Sequence, residues 1–234
     1  MTRRVENSIE VPGTPEQVWE AIATGHGIEC WFVPARVEDG RVAFDLGDGM
    51  EDAGPVTAFE PPRRWVLEED WEDGRLATEF LVEAKAGGTC VVRLVSTFHG
   101  EIADDKLDDL HGGWTIHLLN LRAYLTHFAG RRCAGVTATG TGDWDAFTAA
   151  LGLDGARVGD RVRTTGAPAL AGTVEYCGER MLLLKLDAPA PGMAIVAAYE
   201  WEGETRVSVR LYLFGDADAE REAAAWRDFM AVRV

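Results

Sequence analysis

The stretch HGGWTIHLLNLRAYLTHF, residues 111–128, decides the fold because it carries the longest helical pattern in the chain. Counted at about 100° per residue from Leu107 onward, its leucine and aromatic side chains fall on one stripe. This spacing predicts an amphipathic helix of about five turns. Gly112 and Gly113 are poor residues for a helix interior, so they either mark the helix start or permit close packing on the sheet, and we favour a helix that begins at Gly113.

The sequence before this stretch predicts a strand, two short helices and a β-meander. RVENSIEVPG predicts a first strand, and TPEQVWEAIAT predicts a short helix with Thr14 as its N-cap and Pro15 in its first turn. IECWF predicts a second short helix. From residue 33 to residue 98 the apolar period is two, which predicts six antiparallel strands in a meander. The expected turns are Asp39-Gly40, Pro61-Pro62, Asp73-Gly74 and Gly87-Gly88.

One long, one-faced helix after an antiparallel sheet is expected to lie across the concave face of that sheet. This element order resembles the helix-grip fold of the START-like (SRPBCC, Bet v 1-like) superfamily. Within it, TPEQVWEAIATGHGIECWFVPARVE and HGGWTIHLLNLRAYL are similar to the first and last motifs of the domain related to the activator of Hsp90 ATPase (AHSA1-type). The resemblance covers about Val5 to Gly130 and implies an α+β helix-grip domain, which we place at residues 1–133.

The second half of the chain carries a weaker copy of the same pattern. DWDAFTAALGL parallels the first short helix, with Asp143 as its cap, and the last residues place Trp226 and its apolar neighbours at helical spacing. A shift of 117 residues pairs Phe59 with Tyr176, and a shift of 116 pairs Phe98 with Phe214. We interpret residues 134–234 as a degenerate, shortened second helix-grip-like copy. Chance similarity of two meanders and an unrelated small α+β domain are the alternatives.

Composition narrows the function. The net charge of −16 and the sequence pI of about 4.7 disfavour binding to nucleic acid or to anionic membranes. The N-terminus has no apolar run of a secretory signal, so we expect a cytoplasmic protein. No nucleophile elbow, glycine-rich phosphate loop or metal-ligand spacing occurs in the sequence, so we assign no catalytic residue, metal ligand or cofactor.

A helix-grip pocket is lined by the same faces that form the core, so aromatic residues on those faces are our candidates for a ligand site. His117, near one edge of the apolar stripe, is a candidate polar anchor, and His111 lies near the other edge. We expect the pocket in the first copy, because the alanine-rich last helix, at Ala223–Ala225, would lie close to its sheet. The predicted lining residues are Trp31, Phe32, Phe44, Met50, Trp65, Phe80, His111, Trp114, His117, Leu118 and Leu121.

Three functions are compatible with this sequence. The first is binding of a small apolar or amphipathic molecule under the Trp114 helix, without defined catalysis. The second is a cyclase or dehydratase type of enzyme that uses His117 or His111 as a general acid–base. The third, which the resemblance implies, is an Hsp90-activator-like protein-interaction module. A protein partner is therefore left open, as is the choice between monomer and homodimer.

Overall fold

A computed structural model describes residues 2–47, 50–71, 74–165, 168–201 and 203–233. The chain divides into two compact units, Met1–Gly130 and Arg131–Val234, called here the first unit and the second unit. No helix among the described residues is long and apolar enough to cross a membrane.

The described residues of the first unit form seven strands and three helices. In chain order they are β1 (Thr2–Pro12), α1 (Pro15–Ala23), α2 (Gly25–Glu29), β2 (Ala35–Glu38), β3 (Arg41–Gly47), β4 (Met50–Glu60), β5 (Arg64–Trp71), β6 (Gly74–Lys85), β7 (Thr89–His99) and α3 (Asp104–His127). The strands form one antiparallel sheet in the order β1-β7-β6-β5-β4-β3-β2. Strands β2 to β7 are the predicted meander, and β1 pairs with the last of them.

Local signals explain where the short helices begin. The side chain of Thr14 accepts a hydrogen bond from the backbone N–H of Gln17, whose side chain bonds back to Thr14, and Pro15 occupies the first turn of α1. This reciprocal capping satisfies N–H groups that a helix start leaves unpaired. The Asp39-Gly40 turn has positive φ at both residues, as a tight β-hairpin requires.

The long helix α3 begins earlier than the glycines suggest. It starts at Asp104, after Ala103, so the prediction of a start at Gly113 is wrong. A Cβ added at Gly112 or Gly113 would meet nothing within 4 Å, so neither glycine is required by close packing. Their helix penalty is outweighed by the apolar residues on either side, since Leu107 and Leu118 are both buried.

The second unit repeats the topology of the first with fewer elements. In chain order they are β8 (Cys133–Thr141), α4 (Trp144–Leu151), β9 (Arg161–Arg163), β10 (Ala171–Cys177), β11 (Met181–Ala188), β12 (Gly192–Trp201), β13 (Glu204–Phe214) and α5 (Ala219–Arg233). The side chain of Asp143 caps α4 as expected. Its sheet has the order β8-β13-β12-β11-β10-β9, in which the first strand again pairs with the last. The α+β helix-grip fold with a shortened second copy is therefore confirmed.

The strand registers give the residue equivalences between the two units. Strands β5 and β11 correspond with the predicted shift of 117, which pairs Leu67 with Leu184. The predicted pairing of Phe59 with Tyr176 is one residue out of register, because Phe59 lies opposite Trp65 whereas Cys177 lies opposite the equivalent Leu182. Leu67 lies opposite Thr78, and Leu184 lies opposite Ala194, so these two partners are equivalent as well. Thr78 in turn pairs with Ser96.

The last strands extend this chain of equivalences. Ala194 pairs with Leu211, which makes Leu211 the counterpart of Ser96, at a shift of 211 − 96 = 115. The predicted pairing of Phe98 with Phe214, at a shift of 116, is thus one residue out of register. A slip of one residue moves a side chain to the opposite face of a strand, so Phe98 corresponds to Leu213.

Candidate ligand-binding site

A cluster of aromatic rings lies between the sheet and α3 of the first unit, with Phe32 at its centre. The Phe32 ring centroid is 5.2 Å from that of Trp114, 4.6 Å from that of His117 and 5.6 Å from that of Phe44. Phe80 on β6 meets Trp114 edge to face at 6.0 Å. Phe32, Trp114 and His117 are only half-buried, so their rings can form the wall of a binding site.

The position of Phe32 is fixed by hydrogen bonds of its neighbour Trp31. The indole Nε1 of Trp31 donates to the carbonyl of Ala21 in α1 at 2.9 Å. The carbonyl of Trp31 accepts from Nδ2 of Asn120 in α3 at 2.8 Å. Because Trp31 and Asn120 are fully buried, these bonds join α1, the end of α2 and α3 around the ring cluster.

The other predicted lining residues divide into three groups. Trp65 and Phe80 are buried on adjacent strands and stack at 5.0 Å, next to the cluster. Leu118 and Leu121 are buried on α3 and form part of the core. The structure does not bring His111 into the cluster, since its side chain is exposed, and the side chain of Met50 lies outside the described residues.

The inward face of the sheet also carries polar side chains that the sequence analysis missed. Thr78 and Ser96 are each 2% exposed and pair across β6 and β7. Among the described residues, neither hydroxyl has a hydrogen-bond partner, and the same holds for Nε1 of Trp65 and of Trp114. Buried polar groups are nearly always paired, so several unpaired ones on one face point to a ligand or to water.

Two carboxyl groups extend this face onto β4 and β5. Asp52 lies opposite the buried Phe44, and Glu69 lies opposite the buried Leu76, and cross-strand partners share a face. Desolvation, together with the hydrogen bond and the negative charge of Asp52, raises the pKa of Glu69 from 4.5 to about 9. The pair therefore holds a proton at neutral pH.

These side chains form a polar row, defined here as Asp52, Glu69, Thr78 and Ser96, one on each of four neighbouring strands. The period of two along β5, from Trp65 through Leu67 to Glu69, could have placed Glu69 on the inner face. For Asp52 no such signal existed, because acidic residues beside a glycine turn are usually solvated.

Asn7 links the sheet to the N-terminal half of α3. Its Nδ2 donates to the carbonyl of His111 and to Oγ1 of Thr115, each at 3.0 Å. Asn7 lies opposite Leu94, on the same inward face as the polar row. His111 thus takes part in the structure through its backbone.

The equivalent face of the second unit is apolar. Leu186, Ala194 and Leu211 are all buried there within one hydrophobic cluster that includes Trp226 of α5. Among the described residues of this unit, the buried polar side-chain atoms without a partner are Arg206 Nε and Trp226 Nε1. Neither belongs to a counterpart of the polar row.

A surface cleft of about 440 Å³ is present in the second unit, beside α4 and the turn between β10 and β11. Its walls include Trp144, Asp154 and Cys177, and none of its lining residues comes from α5. It is therefore not the counterpart of the site under α3. Among the described residues of the chain, no group of three or more His, Cys, Asp or Glu side chains could hold a metal ion.

Several solved structures are similar to this chain. The DynU16 protein of the dynemicin biosynthetic locus is 18% identical, with a TM-score of 0.49, over 98% of this chain and 96% of its own. The di-domain ARO/CYC BexL of the BE-7585A biosynthetic pathway is 14% identical, with a TM-score of 0.48, over 99% and 93%. The Aha1 dimer of Colwellia psychrerythraea is 18% identical, with a TM-score of 0.46, over 55% and 99%.

A search of curated proteins gives no match. The family model of the activator of Hsp90 ATPase homolog 1-like proteins matches residues 12–126, from the end of β1 to the end of α3. This range contains the ring cluster and the polar row. Residues 12–126 therefore form a domain of the activator of Hsp90 ATPase homolog 1-like family, with the START-like helix-grip fold.

Proposed function

We propose that the first unit binds a small amphipathic molecule between its sheet and α3. The observation that carries this proposal is the set of buried polar groups, on the inward face and on α3, that have no partner among the described residues. A protein core gains no stability from such groups, since each costs the free energy of its lost hydration. Hydrogen bonds from a ligand to these groups would offset that free energy.

The chemistry of the site indicates the kind of molecule. The rings of Phe32 and Trp114 offer flat apolar contact, which suits an aromatic or otherwise planar body. The indole N–H groups of Trp65 and Trp114 can only donate, and the hydroxyls of Thr78 and Ser96 can donate as well. A ligand with oxygen acceptors on an apolar body fits this arrangement better than a pure hydrocarbon.

Fluorescence titration with prodan, a neutral naphthalene ketone whose emission reports the polarity around it, tests the proposal. We expect saturable binding of one molecule per chain. The double variant Thr78→Val/Ser96→Ala should bind prodan about tenfold more weakly, because it keeps the shape of the site and removes two hydroxyls. Thr97→Val, an outward-facing change on the same β7, is the matched control and should leave binding unchanged.

Two results would contradict the proposal. Prodan that binds without saturation would show that no defined site exists. Saturable binding that responds equally to the inward and the outward hydroxyl variants would place the dye elsewhere on the protein.

A further inference from the structure

We propose that Asp52 and Glu69 share one proton and present it as a hydrogen-bond donor to a carbonyl oxygen of the bound molecule. This inference rests on the proposed function and names the group that selects the ligand. No motif in the sequence marks this pair, and none of the predicted site residues belongs to it.

The geometry places both carboxyls on the ligand side of the sheet. Asp52 is the cross-strand partner of Phe44, whose ring packs on Phe32, so Asp52 lies next to the aromatic wall. Glu69 pairs with Leu76, and Thr78 is the next inward-facing residue along β6. The buried Thr78 hydroxyl, without a partner among the described residues, thus lies diagonally across from Glu69.

The surroundings explain why the pair keeps its proton. On β6 the inward-facing neighbours, Leu76 and Thr78, carry no charge. Arg3 lies on β1 at the end of the cross-strand line that runs from Glu69 through Leu76 and Phe98. Its side chain is paired with Asp104 at the start of α3. His117 is the titratable residue of α3 within the ring cluster.

The acids and bases next to Glu69 in sequence belong to the other face. Glu68 is bonded to Arg75 at 3.1 Å, and the side chain of Asp70 is 98% exposed. Desolvation and Asp52 are the causes that act on Glu69, and no cation among the described residues is one of them. Two neighbouring carboxyls in this setting favour the state that retains one proton.

A protonated carboxyl changes what the site can recognise. In the empty site Glu69 donates its proton in a hydrogen bond to Asp52, so a ligand oxygen must compete with Asp52 for the same proton. A carbonyl or phenol oxygen can do so, whereas a carboxylate ligand would be repelled by the remaining charge. The site is therefore expected to prefer neutral oxygen acceptors over anions.

A pair of probes measures this donation. Prodan carries a ketone, and 2-dimethylaminonaphthalene is the same ring system without it. We expect the wild-type protein to bind prodan at least about tenfold more tightly than the second dye at pH 7, an advantage that is lost as the pH passes about 9. Asp52→Asn should move this loss to lower pH, because it removes the negative neighbour that keeps Glu69 protonated.

Three variants separate a donor from a structural role. Glu69→Gln keeps an N–H donor and should retain the ketone preference without its pH dependence. Glu69→Leu, which installs the residue of the second unit at the equivalent place, should bind both dyes alike. Asp70→Asn, on the outer face of the same strand, is the control and should behave as wild type.

The outcomes distinguish this inference from the proposed function. If both dyes bind the wild-type protein alike, the site exists and the inference is wrong. If neither dye binds, the proposed function fails, and the donation to a ligand fails with it. A ¹³C NMR titration decides the proton itself, because a Glu69 carboxyl that titrates at an ordinary pKa in the wild-type protein would overturn the inference whatever the dyes do.

Discussion

The two units share one topology, yet their inward faces differ in chemistry. In both sheets the first strand pairs with the last, and a long helix follows the last strand of each. At three equivalent positions the first unit has a polar side chain and the second has an apolar one. The pairs are Glu69 and Leu186, Thr78 and Ala194, and Ser96 and Leu211.

This difference shows that the requirements of folding alone explain the inward-facing side chains of the second unit but not those of the first. The inward face of the second unit is what a stable core requires, since burial of aliphatic groups stabilises it without a need for partners. In the first unit, buried hydroxyls and a carboxyl pair lower the stability that the same fold could reach. Side chains that oppose stability in this way are typical of binding sites.

When equivalent residues are exchanged between the units, we expect the largest change in stability in the second unit. Leu186, on β11, is 1% exposed and belongs to the apolar cluster of the second unit. Leu186→Glu removes an aliphatic side chain and buries a carboxyl without an acceptor, so we expect a loss of about 5 kcal/mol or unfolding of this unit. Glu69→Leu should instead be neutral or stabilising. Urea denaturation of both variants measures the contrast, and equal losses would refute it.

The tryptophans of the two long helices offer the next test. Trp226 is fully buried, whereas Trp114 is half-buried beside the proposed ligand. Trp226→Ala should cost about 4 kcal/mol, because it leaves a large cavity in a closed core. We expect Trp114→Ala to cost about half as much and to abolish prodan binding. Thermal unfolding and dye titration of the two variants are the measurements, and retained binding in Trp114→Ala would remove α3 from the site.

The carboxyl pair should make the stability of the first unit depend on pH. Between pH 4.5 and about 9 the Glu69 carboxyl is ionised in the unfolded chain and protonated in the folded one. Folding then takes up a proton, so stability falls as the pH rises through this window, by up to about 1.4 kcal/mol per pH unit, and levels off above it.

Hydrogen exchange of β5 and β6 between pH 6 and pH 9, corrected for intrinsic rates, reports this slope. Glu69→Gln should flatten it, whereas Asp70→Asn should not. An unchanged slope in Glu69→Gln would assign the pH dependence to other groups.

The smallest effect is expected from the buried hydroxyls. Thr78→Val and Ser96→Ala should each raise the stability of the ligand-free protein by about 1 kcal/mol, since each removes a buried polar atom without a partner. Thr97→Val on the outer face should change it by less than about 0.5 kcal/mol. Denaturation midpoints in the absence and presence of prodan check both parts, and a gain in stability that persists with the dye bound would argue against hydroxyl contacts to it.

Most of the fold could be predicted because its signals are local. Caps at Thr14 and Asp143, paired glycines at turns and the change from a period of two to a helical period each act over a few residues. The start of α3 could not, because tertiary burial of Leu107 overrides the poor helix propensity of Gly112 and Gly113.

The candidate site was predicted in its apolar part only. Phe32, Phe44, Trp114 and His117 meet as rings because they occupy core-facing positions that hydrophobic periodicity reveals. Asp52 becomes part of the site only through its register opposite Phe44, and register across strands is a non-local property.

The hydrogen bonds of Trp31 have a kinetic consequence. Because its indole and its carbonyl are both hydrogen-bonded to other helices, the backbone that leads into Phe32 is held in place without a ligand. A ligand of the proposed site would then lose little affinity to the ordering of the protein, and differences among such ligands should appear in their residence times. Asn120→Ala would loosen this frame and should shorten the residence time of a bound dye without touching the dye itself.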